Sequence, residues 1–481
     1  MVSGIFTDRN KILEFFNSRG LIVDPAALQI IMEKSLGTMI THLIDNETMK
    51  SGIVGRQNVL NLIGGNQVKN PAVMREIDVN DIKANSSVED FRKMFVNRYE
   101  TLKSIIVNAG KFREVDSISS VREKDSREVK IVGMISNVTE TRNGHKKFRI
   151  EDTESYIDVI ILKKNPMAKE LLLNDEVVGV IGSRPRASND RENSEPVIFA
   201  NELIRPDIPE RMIDDTGLPP EYVCSISDIH VGSKTFIKNG FSSFLKWINS
   251  SSDESANLKH LILSGDVVDG IGVYPNQEND LEIVNPKEQY EYLAEFVNQV
   301  PSDINVYIMP GNHDTVRLAE PQPELSPAIR QMFTGKVTFL PNPYNLRIKK
   351  KLITLYHGMS LNDLIELIPG GNMNSVGKAI ELMLKRRYMG PVYGGRTPII
   401  PNQFDPHIFR DVPDIFITGH IHGHYLGNYN GVRYVNSSTW QSQTEYQKMM
   451  NYSPDPCIAT LFDLNSKTVI KKNFLPKAFS E

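Results

Sequence analysis

Eight side chains of metal-binding type lie at the ends of five apolar runs in the second half of the chain. The runs are YVCSISDIH, HLILSGDVVDG, NVYIMPGNHD, LITLYHG and DIFITGHIHGH. The residues at their ends are Asp228, His230, Asp266, Asn312, His313, His357, His420 and His422. Two divalent ions about 3.5–4 Å apart can activate a water and neutralise charge on a phosphodiester, and they need a bridging carboxylate with imidazole and oxygen ligands around it. The pattern therefore predicts phosphoester hydrolysis at two metal ions.

The placement of the histidines argues against chance, because five of the ten histidines are among these eight residues. Four others are interpreted as structural or surface residues: His42, His145, His260 and His407. His424 is left open between support of a ligand and contact with the substrate. Glycines also stand in or beside the ligand turns, where a positive φ or a close backbone approach is needed; they are Gly265, Gly311, Gly358 and Gly419.

The predicted secondary structure differs from one part of the chain to the next. Residues 1–70 are predicted to form a helical domain, because apolar residues recur near a 3.6 period over 8–65. Residues 71–120 are predicted to be a linker with an amphipathic helix from about Val88 to Asn108.

From 121 to 209 the apolar period changes to two, and Asn143-Gly144 is a hairpin signal. Several short strands in this length predict a small barrel, with an OB-fold as the leading candidate. Residues 220–481 alternate apolar strands with helical stretches, as in a layered α/β domain. Residues 183–196 are predicted to form an exposed loop between two barrel strands.

Composition narrows the setting of the protein but not its chemistry. The formal net charge is −4, which gives no support to nucleic-acid binding. Cys224 and Cys457 cannot form a disulfide framework and match no zinc motif, so a reducing compartment fits best. No signal peptide and no run of about 18 apolar residues is found, so the chain is expected to be soluble and cytoplasmic, with no membrane contact.

The motifs GD-x-x-DG, GNHD and GH-x-H resemble those of the calcineurin-like metallophosphoesterase superfamily over about 222–425. The resemblance implies a four-layer α-β-β-α sandwich in which one ion is held by Asp228, His230, Asp266 and His422. It implies a second ion held by Asp266, Asn312, His357 and His420, so that Asp266 bridges the two. His313 would then be the general acid or a contact to the scissile phosphate. Protein phosphatases of the superfamily carry an arginine where this chain has Gly270, so a protein phosphatase is disfavoured.

A barrel followed by such a domain resembles the small subunits of archaeal family D DNA polymerases. The resemblance runs from about residue 120 to the C-terminus and includes STWQSQTEYQKMMNYSPDP at 438–456. It implies a 3′→5′ proofreading exonuclease with two Mn²⁺ or Mg²⁺ ions that acts on DNA beside a large polymerising subunit, with a sliding clamp as a further candidate partner. B-subunits of eukaryotic replicative polymerases share this plan but have lost the metal ligands.

A basic cluster lies between His357 and His420 and is predicted to contact the phosphate backbone. The proposed substrate-binding residues are Lys385, Arg386, Arg387 and Arg396, with Lys378 beside them. A solvated helix face or a subunit contact is the alternative for these residues. Tyr388 and Tyr393 are either stacking groups for a frayed base or interface residues.

Two other functions remain open from the sequence. One is a free-standing phosphodiesterase or repair nuclease. The other is a non-catalytic scaffold subunit, which would have no need of an intact ligand set. The segment WQSQTEYQKMMNY at 440–452 is a candidate interface with a large subunit, and packing of its apolar residues inside the domain is the alternative.

Overall fold

The protein divides into two compact units, Met1–Ile77 and Asp78–Glu481, in a computed structural model. The structure describes residues 87–110, 112, 114–123, 126–185, 195–390 and 392–477, together with positions 12, 13, 16, 17, 22, 23, 28, 32, 53 and 54. Among these residues, no helix combines the length and the apolar composition needed to cross a bilayer.

The first unit contains strand as well as helix. Strands β1 (Ile22–Val23) and β2 (Ile53–Val54) pair in parallel. Ile12, Phe16 and Leu28 are helical and buried, as the periodicity predicts. The prediction of an all-helical segment over 8–65 is therefore wrong at the two strands, where short β-branched pairs find partners far along the chain. The rest of that prediction lies outside the described residues.

Helix α1 (Val88–Asn108) begins at a capping box and has the bounds predicted from the sequence. Ser87 Oγ accepts a hydrogen bond from the Asp90 N–H, and Asp90 Oδ2 accepts one from the Ser87 N–H at 2.9 Å. One face of the helix is buried at the spacing of a helical stripe, through Met94, Arg98, Tyr99, Leu102 and Ile106. The short helix α2 (Ile118–Glu123) leads from there into the barrel.

Five strands close into a barrel of OB-like topology. They are β3 (Ser126–Glu140), β4 (Lys146–Glu151), β5 (Tyr156–Ile161), β6 (Val177–Arg184) and β7 (Val197–Ile204). The order around the barrel is β3-β4-β5-β7-β6, and only β5 and β7 pair in parallel. The predicted turn at Asn143-Gly144 joins β3 to β4, and Gly144 takes a φ of 75°. The middle of the predicted loop at 183–196 lies outside the described residues, and the domain boundaries drawn from the sequence remain predictions.

The remaining strands form two mixed sheets. In chain order they are β8 (Tyr222–Ile226), β9 (Leu258–Ser264), β10 (Asn305–Met309), β11 (Val337–Phe339), β12 (Tyr344–Ile348), β13 (Lys351–Leu355), β14 (Ile415–Thr418), β15 (His424–Tyr429), β16 (Val432–Ser437), β17 (Ile458–Asp463) and β18 (Val469–Asn473). One sheet has the order β11-β10-β9-β8-β17-β18 and the other β12-β13-β14-β16-β15. The helices between them are α3 (Lys238–Ile248), α4 (Asp253–Ala256), α5 (Pro286–Val297), α6 (Pro327–Arg330), α7 (Leu361–Leu367), α8 (Val376–Arg386) and α9 (Glu445–Met449).

Apolar side chains hold the sheets and helices together in layers. Val223, Ile262 and Met309 of the first sheet share one buried cluster with residues of the second, such as Ile353 and Ile417. Helices α3 and α5 pack on the six-stranded sheet in a second cluster, and α7 and α8 pack on the five-stranded sheet in a third. The mixed α/β class and the closed barrel agree with the fold predicted from the sequence.

A buried ion pair fastens helix α1 to the segment between β13 and β14. Arg98 Nε donates to Asp405 Oδ2 at 2.9 Å, and both side chains are fully buried. His407 lies beside them, with Nδ1 3.3 Å from Asp405 Oδ1 and Nε2 3.2 Å from Glu320 Oε2. Burial opposes protonation of His407, but the hydrogen bonds to the two carboxylates outweigh it and raise its pKa to about 9. His407 is thus a structural residue, as predicted.

Candidate metal centre

The predicted ligands follow the carboxyl ends of β8, β9, β10, β13 and β14, where open α/β sheets bind ligands. The backbone turns sharply there, and several ligand residues adopt a left-handed conformation that side chains other than glycine rarely take. These are Asp228 (φ 51°), His230 (φ 53°), Asp266 (φ 47°) and His420 (φ 67°). Such strain is maintained only where the surrounding structure over-determines it, and it concentrates at functional sites.

One group of ligand-type atoms comes from Asp228, His230 and His422. The Nε2 atoms of His230 and His422 are 3.2 Å apart. Asp228 Oδ1 lies 3.4 Å from His422 Nε2 and 3.8 Å from His230 Nε2. Asp228 is held from the other side, because its Oδ2 accepts the His420 N–H at 2.9 Å. The three side chains therefore present their free atoms to one point.

A second group comes from Asp266, His357 and His420. His357 Nδ1 lies 3.0 Å from the Ser264 carbonyl oxygen, which leaves Nε2 to face Asp266 Oδ2 at 3.1 Å. Asn312 Oδ1 is also 3.1 Å from His357 Nε2. The structure thus brings together the four residues predicted for the second ion.

Asp266 lies between the two groups. Its Oδ2 is 3.1 Å from His357 Nε2 and 3.9 Å from His230 Nε2. Its Oδ1 accepts the His313 backbone N–H at 2.8 Å. Asp266 therefore lies where the bridging carboxylate predicted from the sequence would have to be.

Asp269 is a site residue that the sequence reasoning did not single out. Its Oδ1 lies 2.8 Å from His230 Nδ1, and its carbonyl oxygen lies 2.9 Å from His313 Nδ1. Asp269, His230 and His313 also form a third cluster of ligand-type atoms. We interpret that cluster as a hydrogen-bonded support, because both Nδ1 atoms are already engaged with Asp269. The second aspartate of GD-x-x-DG was the signal that could have identified this residue.

Replacing Asp269 with Asn should weaken metal binding by about 10- to 100-fold, the usual cost of losing a carboxylate that orients a ligating histidine. The amide keeps the shape of the side chain but no longer favours the Nδ1–H tautomer of His230 by charge. Isothermal titration of the metal-free protein with Mn²⁺ measures the change. An affinity equal to that of the wild type would show that Asp269 does not support the ligand.

His313 occupies the rim of the site. Its side chain is half-buried, and it contributes to neither of the two groups described first. Since Nδ1 is directed to Asp269, Nε2 is the ring atom that remains for a substrate. This arrangement fits the role predicted for His313, which is contact with the substrate and not metal ligation.

The ionisable side chains of the site strongly shift one another's pKa values. Burial opposes ionisation of Asp228 and Asp266, but the neighbouring histidines outweigh it and lower the pKa of both carboxyls. Burial likewise opposes protonation of His230, yet the nearby carboxylates of Asp228 and Asp269 raise its pKa to about 10. Burial and the nearby charge of His357 lower the pKa of His420 to about 3. The carboxylates are therefore ionised at neutral pH, as metal ligands must be.

Two features of the site fit divalent ions. Asp228 Oδ1 is buried and accepts no hydrogen bond from the described residues, so its lone pairs remain free to coordinate a cation. The turns also leave room only for glycine. A Cβ on Gly311 would lie 2.3 Å from Asp266 Oδ1, and one on Gly419 would lie 2.0 Å from Ser227 Oγ. Oxygen and imidazole donors without thiolate suit Mn²⁺ or Mg²⁺.

Side chains that no motif marked hold the ligand turns in place. Asn342 Oδ1 accepts the His357 N–H at 2.9 Å, and Gln322 Nε2 donates to the Gly311 carbonyl at 3.1 Å. The two amides also bond to each other at 2.7 Å. His424, which the sequence left open, lies 2.9 Å from Thr460 Oγ1 through Nε2. It therefore supports the sheet behind the site.

The prediction that Arg386 and Arg387 contact the substrate is wrong. Arg386 Nε donates to buried Glu176 at 3.0 Å, which joins α8 to the barrel. Arg387 is buried and donates to the Pro206 carbonyl at 3.1 Å. A buried guanidinium must be paired or hydrogen-bonded, and these two find their partners inside the protein.

The rest of the basic cluster remains at or near the surface. Lys385 is half-buried, and Arg396 is exposed and forms an ion pair with Glu366 at 2.6 Å. Their role in substrate binding stays a prediction. Tyr393 packs edge-on against Phe91 and Phe95 of α1, which favours a structural contact over base stacking.

Comparison with known proteins gives a consistent result. Residues 223–425 match the family model that describes the B-subunit of DNA polymerase alpha/epsilon. The chain is 53% identical over 467 residues to the DNA polymerase II small subunit of Thermoplasma acidophilum, covering 97% of this chain and 93% of that protein. It is 38% identical over 390 residues to the DNA polymerase II small subunit of Archaeoglobus fulgidus, covering 79% of this chain and 76% of that protein.

A solved structure, that of an asparaginyl-tRNA synthetase from Pyrococcus horikoshii, covers 19% of this chain and 22% of its own at 17% identity and a TM-score of 0.17. That likeness is too slight to carry an argument.

Proposed function

Because the chain belongs to the family of archaeal DNA polymerase II small subunits, we propose that it carries a two-metal 3′→5′ exonuclease that removes mismatched nucleotides for a large polymerising subunit. The two sheets and their helices would form a metallophosphoesterase sandwich behind an OB-fold. The observation that carries the proposal is the convergence of six predicted ligands from distant strand ends; they are Asp228, His230, Asp266, His357, His420 and His422.

The residues of the site would share the work of hydrolysis. When bound, the two ions would activate a water and neutralise charge on the phosphate. Asp266 would hold both ions at a fixed separation, and Asp269 would orient His230 through the 2.8 Å contact. His313 would contact the scissile phosphate or protonate the leaving 3′ oxygen. Burial lowers the pKa of His313 in the free protein, whereas a phosphate anion beside it would favour its protonated form.

The geometry weighs against a purely non-catalytic scaffold. Several predicted ligands adopt a left-handed backbone conformation, and one buried carboxylate oxygen has no hydrogen-bond donor among the described residues. Both features destabilise the fold, so they are unexpected in a protein that binds no metal. A scaffold could have replaced these residues by apolar ones at no loss. A free-standing nuclease would have the same metal centre. It would differ from a polymerase subunit in lacking a surface that binds a large subunit.

The segment at 440–452 contains both buried and exposed apolar residues. Trp440 and Tyr452 are buried, so they belong to the core of the domain and not to an interface. Tyr446, Met449 and Met450 are exposed in and after helix α9, with Met449 at 78%. We propose that these three side chains contact the large subunit, since flexible apolar side chains are enriched at protein interfaces.

Replacing Met449 and Met450 with Ser should weaken recovery of the large subunit by about tenfold or more. Met212→Ser is the matched control, because Met212 is 93% exposed and lies outside the segment at 440–452. Co-purification of the tagged chain with the large subunit measures the effect. Equal recovery with the double variant would remove α9 from the interface.

One experiment tests the whole proposal. The complex recovered by co-purification is given a primer–template with a matched or a mismatched 3′ end and Mn²⁺ or Mg²⁺. We expect mononucleotides to be released from the 3′ end, and faster from the mismatch. Absence of hydrolysis would contradict the exonuclease. Hydrolysis by a chain that recovers no large subunit would favour a free-standing nuclease.

A further inference from the structure

The connection between β9 and α5 exposes apolar side chains next to the candidate metal centre. Ile271, Val273 and Tyr274 are exposed, and Tyr274 is 40% exposed. The ring centroid of Tyr274 lies 6.4 Å from that of His313, at an interplanar angle of 61°. A partly exposed aromatic ring is therefore found next to the residue proposed to contact the phosphate.

The segment is held firmly in this position. Gln277 is fully buried, with Oε1 accepting the Val273 N–H at 2.9 Å and Nε2 donating to the Asp269 carbonyl at 2.8 Å. The Tyr274 hydroxyl donates to Asp280 Oδ2 at 3.0 Å. Asp269 also contacts His230 and His313, so the same residue helps to position both the Tyr274 segment and the histidines of the site.

We propose that Tyr274, with Ile271 and Val273 beside it, receives the nucleobase of the 3′-terminal nucleotide whose phosphate lies at the metal centre. The inference rests on the proposed exonuclease and specifies its substrate as a nucleotide with an unstacked terminal base. The base of a nucleotide is one sugar away from its own phosphate, a span comparable to that between Tyr274 and His313. Aromatic side chains bind bases of any sequence by stacking, as removal of any terminal nucleotide requires.

The charge of the segment limits what can bind there. Glu278, Asp280 and Glu282 are exposed in the same connection. These carboxylates repel a phosphate backbone and therefore disfavour a duplex along the segment, although Lys234 Nζ donates to the Asn279 carbonyl at 2.8 Å. A single base that has left its duplex brings no further phosphate with it. The surface therefore favours a frayed end over a paired one, which is the discrimination that proofreading needs.

The test compares substrates that differ only in the base. Single-stranded oligonucleotides carry either a normal or an abasic 3′-terminal nucleotide, and the complex is assayed as wild type, Tyr274→Ala and Tyr274→Phe. We expect Tyr274→Ala to lose about tenfold or more in kcat/KM on the normal terminus and to match the wild type on the abasic one. Tyr274→Phe should retain most of the rate, because the ring remains.

A second measurement does not depend on hydrolysis. With an oligonucleotide whose 3′-terminal phosphodiester is replaced by a non-hydrolysable phosphonate linkage, the fluorescence of a 3′-terminal 2-aminopurine should be quenched by the native Tyr274 and by Tyr274→Phe, and it should stay bright with Tyr274→Ala. The comparison is made at protein concentrations where anisotropy of a 5′ dye shows the oligonucleotide to be bound. Bound oligonucleotide with equal fluorescence in all three proteins would overturn the inference. So would an equal rate loss of Tyr274→Ala on both termini. If the wild type hydrolyses neither substrate, the proposed exonuclease fails as well.

Discussion

Asp266→Asn should abolish phosphodiester hydrolysis and reduce the bound Mn²⁺ from two ions to at most one. The substitution keeps an oxygen that can accept the His313 N–H, which lies 2.8 Å from Asp266 Oδ1 in the wild type, so the turn should be preserved. It removes the negative charge from the carboxylate that faces both His357 and His230. Without the proposed bridge, neither charge neutralisation nor the separation of the two ions would be maintained. Metal analysis by mass spectrometry and a single-strand nuclease assay measure the two effects.

Asp303→Asn is the control for this variant. It makes the same chemical change at the amino end of β10, where Asp303 is exposed and pairs with Lys259 at 2.9 Å. It should leave metal content and rate unchanged. Hydrolysis retained by purified Asp266→Asn protein would refute the two-metal centre.

His313→Ala should retain both ions and lose about 10²–10⁴ in rate, which is the usual contribution of a general acid. The expectation follows from the direction of the ring, since Nδ1 contacts the Asp269 carbonyl at 2.9 Å and leaves Nε2 for the substrate. Calorimetric titration with Mn²⁺ gives the stoichiometry, and a nuclease assay under saturating metal gives the rate.

His145→Ala is the matched control, because His145 lies in the barrel and accepts the Lys163 N–H through Nδ1 at 3.2 Å. It should change neither quantity. Loss of one ion in His313→Ala would instead make His313 a ligand. A normal rate with both ions bound would remove it from the chemistry.

Local sequence patterns were sufficient to predict several features of the structure. Helix α1 agrees with its predicted bounds because Ser87 and Asp90 form its cap and its apolar residues repeat at helical spacing. In barrel strands β4 and β5, buried residues alternate with more accessible ones, and this alternation produces the apolar period of two in the sequence. The ligands were recognisable because each follows an apolar run, and a strand buried on both faces ends in a short turn at the edge of its sheet.

Other features depend on partners far along the chain. Arg386 and Arg387 form a basic cluster in sequence, but their burial depends on hydrogen bonds to two distant groups. These are Glu176 in the barrel and the Pro206 carbonyl in the segment that follows β7. Trp440 and Met449 are close neighbours in one segment, yet Trp440 packs against Phe241 and Phe244 of α3 while Met449 is exposed. Composition and spacing contain no information on such contacts.

In the candidate metal centre, the ligands could be predicted from local sequence, whereas residues that position the ligand turns depend on the tertiary structure. The types of the ligand residues and their strand ends could be read from the chain, since both are local properties. The roles of Asn342 and Gln322 could not, because each acts through hydrogen bonds to turns that other strands contribute. An amide or carboxylate becomes a positioning residue only when packing of the two sheets brings a specific donor or acceptor within about 3 Å of it.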